Sequence, residues 1–250
     1  MKQIKLRLVG GLGNQLYQFG YALLLLEKFD YKKIVIDYSD MNKYRENWGY
    51  MLPIVLDSAK VSHLIDFDQS WALKFRLPKL ANMVGIYGFG FVSDKNCVQI
   101  LEESNNSNLY LDGYFSHDQF LHRSIATLKR YIRDDLILDL PDNVLVVNVR
   151  GGEYARLGWT SLDDAILYEN LINKAMKNIK NPVVHLVTDD IEYAKSLLSG
   201  ICDIHVIHET SPIDNFLVLL SARHKILSKS TFAKWAGYLS SDNDLIYDID

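Results

Sequence analysis

The sequence predicts an α/β protein whose parallel β-sheets are covered by helices, and the opening residues give the first reason. Ile4 to Val9 reads as a strand, a glycine-rich turn follows from Gly10 to Gln15, and a helix continues to Phe29. The apolar side chains of that segment recur at the 3.6-residue period of a helix. Lys33 to Asp37 reads as a second strand, so the order is strand, turn, helix, strand: one βαβ unit.

The second half of the chain gives the second reason, because short apolar runs alternate there with helical segments. Four runs read as strands: Val144–Val149, Val183–Val187, Ile204–Ile207 and Lys225–Leu227. Ser161 and Asp164 have the spacing of a capping box at the start of the first intervening helix. Such alternation predicts a parallel sheet with right-handed crossovers. We therefore expect Arg150, Asp189 and Ser230, which follow three of these strands, to converge at one edge.

Two domains are predicted, with the boundary in the polar segment from Asp134 to Asn143, which contains Pro141. We assign residues 1–140 to an N-terminal Rossmann-like domain and residues 141–250 to a C-terminal one. Before the boundary, a strand at Leu109 to Asp112 leads into a helix from His117 to Ile132. Residues 41–108 show no clear pattern. Their aromatic residues, among them Tyr44, Trp48, Tyr50 and Trp71, are typical either of a sugar-stacking surface or of an ordinary core.

Composition excludes several classes of protein. The 250 residues carry a net charge of -4, with lysines and arginines spread along the chain, which argues against a nucleic-acid partner. Two distant cysteines, Cys97 and Cys202, indicate a reducing compartment, and the first residues contain no secretory apolar region. The apolar run from Leu23 to Leu26 is too short to cross a membrane. We expect a cytoplasmic protein without a transmembrane segment, for which contact with the inner face of the inner membrane stays open.

Three aspartate triplets have the D-x-D spacing of metal-dependent sugar transfer. Because none follows an apolar strand and opens a glycine loop, we do not expect a metal site at any of them. They begin at Asp66, Asp242 and Asp248.

The segment from Asn148 to Tyr154 holds the strongest candidate for a ligand site. Arg150 stands at the end of a buried strand and is followed by Gly151 and Gly152, which let a ligand approach the main chain. An arginine in this place can bind a phosphate through two charge-assisted hydrogen bonds. The alternative is a surface turn with an ordinary pair of Arg150 and Glu153.

The glycine-rich turn near the start has two interpretations of its own. Gly11 and Gly13, with Asp37 at the end of the second strand, suggest a dinucleotide-binding enzyme that uses NAD. Leu16 occupies the third glycine position of that fingerprint, so the match is incomplete. The turn either binds an anion at the helix start or only packs the helix closely against the strand.

Five segments together resemble the α-1,2-fucosyltransferases of glycosyltransferase family 11. The opening segment resembles the family's GGLGNQ motif, and the central one is similar to its H-x-R-R-G-D-Y signature. The others are similar to its G-Y-(F/W)-Q, S-D-D and S-S-F-S-W-W-A-A-W-L segments. In this chain they are Gly10–Phe19, Asn148–Tyr154, Asp112–Phe115, Thr188–Asp190 and Ser230–Leu239. The matches keep the family's order from residue 10 to residue 239.

The resemblance implies a GT-B-like fold of two Rossmann-type domains that face each other across a cleft. It implies an inverting, metal-independent transfer of fucose from GDP-fucose to the 2-hydroxyl of a galactose-type acceptor, a glycan or lipid-linked oligosaccharide of the O-antigen kind. No cofactor beyond the donor is implied. Beside the NAD-binding enzyme, a non-catalytic sugar-binding relative is a second alternative, because the central motif departs from the family. Asn148 replaces histidine, Gly151 replaces the second arginine and Glu153 replaces aspartate.

The resemblance also implies roles for single residues. Arg150 holds the donor's diphosphate. Glu153, the only acidic residue in the central motif, is the candidate general base, with Asp118 and His117 as alternatives. Tyr114 and His117 lie on the acceptor side. The donor-binding residues implied are Gly11, Gly13, Asn14, Asn148, Arg150, Asp189, Ser230, Thr231 and Phe232.

Overall fold

The computed structural model divides the chain into two compact units, residues 1–133 and residues 134–250. In the part of the chain that the structure describes, each is an α/β unit with one five-stranded parallel sheet. The roles predicted for the two domains, acceptor side and donor side, stay predictions. The structure describes residues 2–37, 49–67, 89–103, 108–207, 211–241 and 244–249. Tyr44, Trp48 and Trp71, and parts of the three aspartate triplets, lie outside these residues.

The first unit contains five described strands in the order β3-β2-β1-β5-β4, all parallel. The predicted βαβ opening is confirmed, although β1 ends two residues before the predicted Val9. The strands are β1 (Gln3–Arg7), β2 (Lys33–Asp37), β3 (Ile65–Phe67), β4 (Phe89–Val92) and β5 (Asn108–Leu111). The described helices are α1 (Leu12–Lys28), α2 (Leu52–Val55), α3 (Ser58–Val61), α4 (Cys97–Glu102) and α5 (Asp118–Lys129).

Helix α1 is the centre of the first unit, and its start and burial differ from the prediction. It begins at Leu12, so the turn is only Gly10 and Gly11, and Gly10 has a φ of 79°. Gly13 and Asn14 therefore lie in the first helical turn. Burial also reaches beyond the predicted apolar face, since Gln15 and Gln18 are fully buried as well. The helix packs against β1, β2 and α5, which leaves almost none of its first fourteen residues in solvent.

The second unit contains a parallel sheet in the order β10-β9-β6-β7-β8. The four predicted strands are present, and a fifth, β10, pairs with β9 at the edge. The strands are β6 (Val144–Val149), β7 (Val183–Thr188), β8 (Ile204–Val206), β9 (His224–Leu227) and β10 (Leu245–Asp248). The helices are α6 (Gly152–Arg156), α7 (Ala165–Met176), α8 (Ile191–Leu197), α9 (Pro212–Ser221) and α10 (Thr231–Tyr238).

Strand β6 is buried along its whole length, as a central parallel strand should be. Its side chains pack with those of α7 and β7 in one apolar cluster that includes Val147, Ile172 and Leu186. The predicted capping box of Ser161 and Asp164 is confirmed, but it starts a short 3-10 turn that leads into α7. Within the described residues, we find no helix with both the length and the apolar character that a membrane span requires.

Candidate active site

The candidate site of the second unit lies at the point where its strand order reverses. Strand β6 has β7 on one side and β9 on the other, and the chain moves outward from β6 in both directions. Ligands of open α/β sheets bind at the carboxyl ends of the strands beside such a reversal. Arg150, Asp189 and Ser230 follow those three ends, so their predicted convergence is confirmed.

Arg150 is held in place by two contacts. Its Nη1 lies 3.0 Å from Oδ2 of Asp189, and its Cζ lies 5.1 Å from the centre of the Tyr154 ring. Burial raises the pKa of Tyr154 although the nearby guanidinium lowers it, so the ring under Arg150 stays uncharged at neutral pH. The arginine side chain is 28% exposed. A partly buried guanidinium fixed on one side can bind an anion on its other side with little loss of side-chain entropy.

Two adjacent aspartates organise the turn after β6. Oδ1 of Asp189 accepts a hydrogen bond from the Gly151 N–H at 2.9 Å, and Oδ2 of Asp190 accepts one from the Gly152 N–H at 3.3 Å. Asp190 also caps α8, since its Oδ1 accepts from the N–H of Tyr193 at 3.0 Å. Asp190 is therefore the N-cap of α8, whereas Asp189 orients Arg150. The donor-binding role predicted for Asp189 stays a prediction.

Gly151 has no room for a side chain. A Cβ at this position would lie 2.8 Å from Cβ of Asp190 and 2.8 Å from Cδ1 of Tyr193. These two close contacts require glycine here. At Gly152, a Cβ would lie 2.7 Å from Oδ2 of Asp189, and the φ is 46°. The glycine that replaces the family's second arginine is thus part of a packed turn.

We expect Gly151→Ala to lower stability and donor affinity together. The added methyl group has to displace Asp190 or Tyr193, and such overpacking costs about 1–3 kcal/mol. The same displacement weakens the hydrogen bond from the Gly151 N–H to Asp189. Asp189 then fixes the side chain of Arg150 less firmly. Urea unfolding measures the first effect, and calorimetric titration with GDP measures the second.

Gly200→Ala is the matched control, because Gly200 has a φ of 77° and open space around its Cβ. It should cost about 1 kcal/mol of backbone strain and leave GDP affinity unchanged. If Gly151→Ala kept both wild-type stability and wild-type GDP affinity, the close packing described for this turn would be wrong.

A buried chain of hydrogen bonds joins β6, β7, β9 and the start of α10. Nδ2 of Asn148 donates to the carbonyl of Val187 at 3.0 Å, and the hydroxyl of Ser228 donates to Oδ1 of Asn148 at 2.5 Å. The hydroxyls of Ser228 and Ser230 lie 3.1 Å apart. Asn148 is only 5% exposed, so its observed contacts are internal. The donor-binding role predicted for Asn148 stays a prediction, and Ser228 is a residue that the sequence analysis missed.

The start of α10 presents the remaining donor-side candidates. Ser230 is the N-cap, and its Oγ accepts from the N–H of Ala233 at 3.1 Å. Thr231 and Phe232 are partly exposed at the first two helical positions, and the Phe232 ring packs edge-on against Phe216 at 5.3 Å. The positive end of the helix dipole therefore lies beyond the carboxyl end of β9, where it favours an anion.

Glu153 lies in the first turn of α6, close in sequence to Arg150, and is exposed. Trp159 follows the same helix and was not singled out by the sequence analysis. It is 60% exposed and packs edge-on against Tyr154, with ring centres 5.0 Å apart.

In the first unit, Gln15 holds the glycine turn in place. Its Nε2 donates to the carbonyls of Gly10 and Gly49, both at 2.9 Å, and its Oε1 accepts from the N–H of Met51 at 2.9 Å. Sequence reasoning named Gly11, Gly13 and Asn14 but missed this glutamine. The signal was present, because a glutamine in the apolar stretch of a helix needs buried partners.

The predicted acceptor-side residues lie after β5. Tyr114 is 44% exposed. His117 is the exposed N-cap residue of α5, and its ring lies 5.2 Å from that of Phe120. Asp118, the alternative base, follows as the first residue of the helix. Their catalytic and acceptor-binding roles stay predictions.

The described parts of the aspartate triplets have structural partners. Oδ2 of Asp244 lies 3.1 Å from Nζ of the buried Lys225, and the hydroxyl of Tyr238 donates to Asp248. Across the described residues, no three histidine, cysteine or acidic side chains are grouped so that they could hold a metal ion.

Comparison with known proteins identifies the family. The model of Glycosyl transferase family 11 matches residues 91–248, which is more than half of the chain. The chain belongs to glycosyl transferase family 11. This membership confirms the resemblance to family 11, and it makes the protein a glycosyltransferase.

A glycosyltransferase and several solved structures are similar to this protein over nearly the whole chain. An O-antigen biosynthesis glycosyltransferase, WbnK of Escherichia coli, is 24% identical over 96% of this chain and 91% of its own length. The crystal structure of NodZ α-1,6-fucosyltransferase soaked with GDP-fucose is 13% identical, with a TM-score of 0.57 over 95% of this chain and 92% of that one.

The structure of POFUT1 in complex with GDP is 10% identical, with a TM-score of 0.56 over 99% of this chain and 98% of that one. At these identities the likeness shows the fold. The predicted class, a GT-B-like fold with two parallel-sheet α/β units, is confirmed.

Proposed function

We propose that this family 11 glycosyltransferase moves fucose from GDP-fucose to the 2-hydroxyl of a galactose-type acceptor. The observation that carries the proposal is Arg150, fixed by Asp189 and Tyr154 at the strand-order reversal of the second sheet. An arginine there suits the diphosphate of a sugar nucleotide. Family membership supports glycosyl transfer, and the GDP-fucose in the NodZ structure supports this donor.

The proposed reaction is a direct displacement with inversion. The acceptor hydroxyl attacks the anomeric carbon of fucose, the bond from that carbon to the β-phosphate oxygen breaks, and its electron pair leaves with GDP. Arg150 and the start of α10 stabilise the negative charge that develops on the β-phosphate, so that no metal ion is required. A general base takes the proton of the acceptor hydroxyl. Glu153 is our first candidate, with Asp118 and His117 as alternatives.

The relative WbnK is named for O-antigen biosynthesis, which supports a surface glycan as the product. We therefore propose that the reaction takes place in the cytoplasm, with a glycan or lipid-linked oligosaccharide as the acceptor. Contact of the enzyme with the inner face of the inner membrane would bring it to such an acceptor. No nucleic acid takes part.

Calorimetric titration with GDP, GDP-fucose and NAD in the presence of EDTA tests the proposal, followed by a transfer assay with galactosides. In the titration we expect both guanine nucleotides to bind without metal and NAD to show no heat of binding. In the assay we expect fucose to be transferred to the galactoside. If neither guanine nucleotide bound, the proposal that GDP-fucose is the donor would be wrong. If GDP-fucose bound but was never turned over, the chain would be a non-catalytic sugar-binding relative.

A further inference from the structure

We infer that the first unit carries a saccharide-binding subsite formed by Arg7, Asp112 and Tyr114. It rests on the proposed function, because its ligand is the pyranose ring of the acceptor. All three residues belong to one unit, at the carboxyl ends of β1 and β5.

The position of the subsite follows from the strand order. In the first sheet, β2 and β3 lie on one side of β1, whereas β5 and β4 lie on the other, so the order reverses between β1 and β5. Arg7 is the last residue of β1, and Asp112 follows the last residue of β5. Their ion pair, 2.7 Å from Nη1 to Oδ1, crosses the reversal. This is the first unit's counterpart of the edge where Arg150 meets Asp189 in the second unit.

The pair has hydrogen-bonding capacity suited to a neutral sugar. The side chains of Arg7 and Asp112 are 27% and 29% exposed, so a ligand can reach them. Oδ1 of Asp112 accepts from Arg7, and among the residues that the structure describes no donor reaches Oδ2. A carboxylate with a free oxygen accepts strongly from a sugar hydroxyl, and such charge-assisted bonds are about twice as strong as neutral ones.

Tyr114 supplies the apolar surface that the C–H face of a pyranose needs, and a strained turn presents it. The next residue, Phe115, has a φ of 52°, a left-handed conformation that is unfavourable for an aromatic residue. Asp94 holds this turn, since its two carboxylate oxygens accept from the N–H groups of Tyr114 at 3.1 Å and of Phe115 at 2.6 Å. The Phe115 ring is buried and stacks on Tyr21 at 4.5 Å.

The strain of the turn has a consequence for Tyr114. With the Phe115 ring anchored in the core, the left-handed residue leaves Tyr114 outside, 44% exposed. Backbone strain that several contacts maintain is typical of functional sites. Asp94 is therefore a positioning residue, which acts on the sugar through Tyr114.

Saturation-transfer NMR with GDP-bound protein and a panel of methyl glycosides (galactoside, glucoside and N-acetylgalactosaminide) tests the subsite. We expect wild type to bind at least one glycoside. Asp112→Asn and Tyr114→Ala should each weaken that binding about tenfold or more, because a charge-assisted bond or the stacking surface is lost. Tyr114→Phe should keep it within about threefold, because the ring remains. Asp94→Ala should weaken glycoside binding without changing GDP affinity.

Glu102→Ala is the control, since Glu102 is exposed and pairs with Lys28 and Arg123 elsewhere on the unit. It should leave all affinities unchanged. Wild type that binds GDP but no glycoside, or variants that bind the glycoside like wild type, would overturn the subsite. So would a parallel loss of GDP affinity in Asp112→Asn and Tyr114→Ala. Failure of wild type to bind GDP or GDP-fucose would instead reject the proposed function.

Discussion

Arg150→Ala should abolish most of the transferase activity while leaving the fold intact. Removing the guanidinium leaves the charge on the departing diphosphate without its main fixed donor, which costs about 2–4 kcal/mol of transition-state stabilisation. This corresponds to a fall in kcat/KM of about 30- to 900-fold. Because Arg150 and Asp189 are both 28% exposed, loss of their pair should change stability by less than about 1 kcal/mol.

Arg156→Ala and Arg150→Lys are the control variants that separate the effect of Arg150 from a general effect of positive charge. Arg156 is an exposed arginine in α6, and its removal should leave kcat/KM unchanged. Lysine keeps the charge but loses the planar pair of donors, so Arg150→Lys should lie between alanine and wild type. Activity of Arg150→Ala within tenfold of wild type, measured with GDP-fucose and the best acceptor, would show that Arg150 does not hold the diphosphate.

Asp244→Ala should be the most destabilising single change considered for the second unit. Nζ of Lys225 contacts the carbonyl of Leu220 at 3.2 Å and Oδ2 of Asp244 at 3.1 Å, and the lysine side chain is fully buried. Removing the carboxylate takes an ionic partner away from a fully buried ammonium group, which costs about 3–5 kcal/mol. Urea unfolding followed by circular dichroism measures the loss.

The exposed pair of Arg223 and Asp142 is the matched control, with side chains 54% and 80% exposed. Asp142→Ala should change the free energy of unfolding by less than about 1 kcal/mol. Lys225→Met in the Asp244→Ala background should recover part of the lost stability, since the buried charge is then absent as well. Equal effects of Asp142→Ala and Asp244→Ala would mean that water reaches Lys225.

Elements with strong local signals could be predicted from the sequence, and elements that depend on their neighbours could not. Strand β6 and helix α1 have long apolar patterns, which were recognised. By contrast, β3, β4 and β10 were missed. They are three or four residues long, and β3 and β10 carry mostly exposed or half-exposed side chains. Edge strands of this kind form because they pair with a neighbouring strand, as β10 does with β9. The pattern of apolar residues within the strand does not indicate that pairing.

The candidate site shows the same division. Arg150, Asp189 and Ser230 were named because polar residues that follow apolar strands stand out along the chain. Ser228 and Gln15 were missed, since their importance comes from partners distant in the sequence, Asn148 for one and Gly49 for the other. The aspartate triplet that ends in Asp244 had a metal-site spacing, yet that residue serves as the counter-ion of Lys225.

The sequence by itself determined the family, the two parallel-sheet units and the arginine at the end of β6. These three features follow from patterns of neighbouring residues, namely the period of the apolar side chains, the positions of glycines and the order of the motifs along the chain. Only the tertiary structure decided that Gly151 is required by contact with Asp190 and Tyr193, and that Asp189 holds Arg150. It also decided that Asp112 faces Arg7. These contacts join residues about 40 to 105 positions apart, and such pairs are fixed by strand order and packing, which no local pattern encodes.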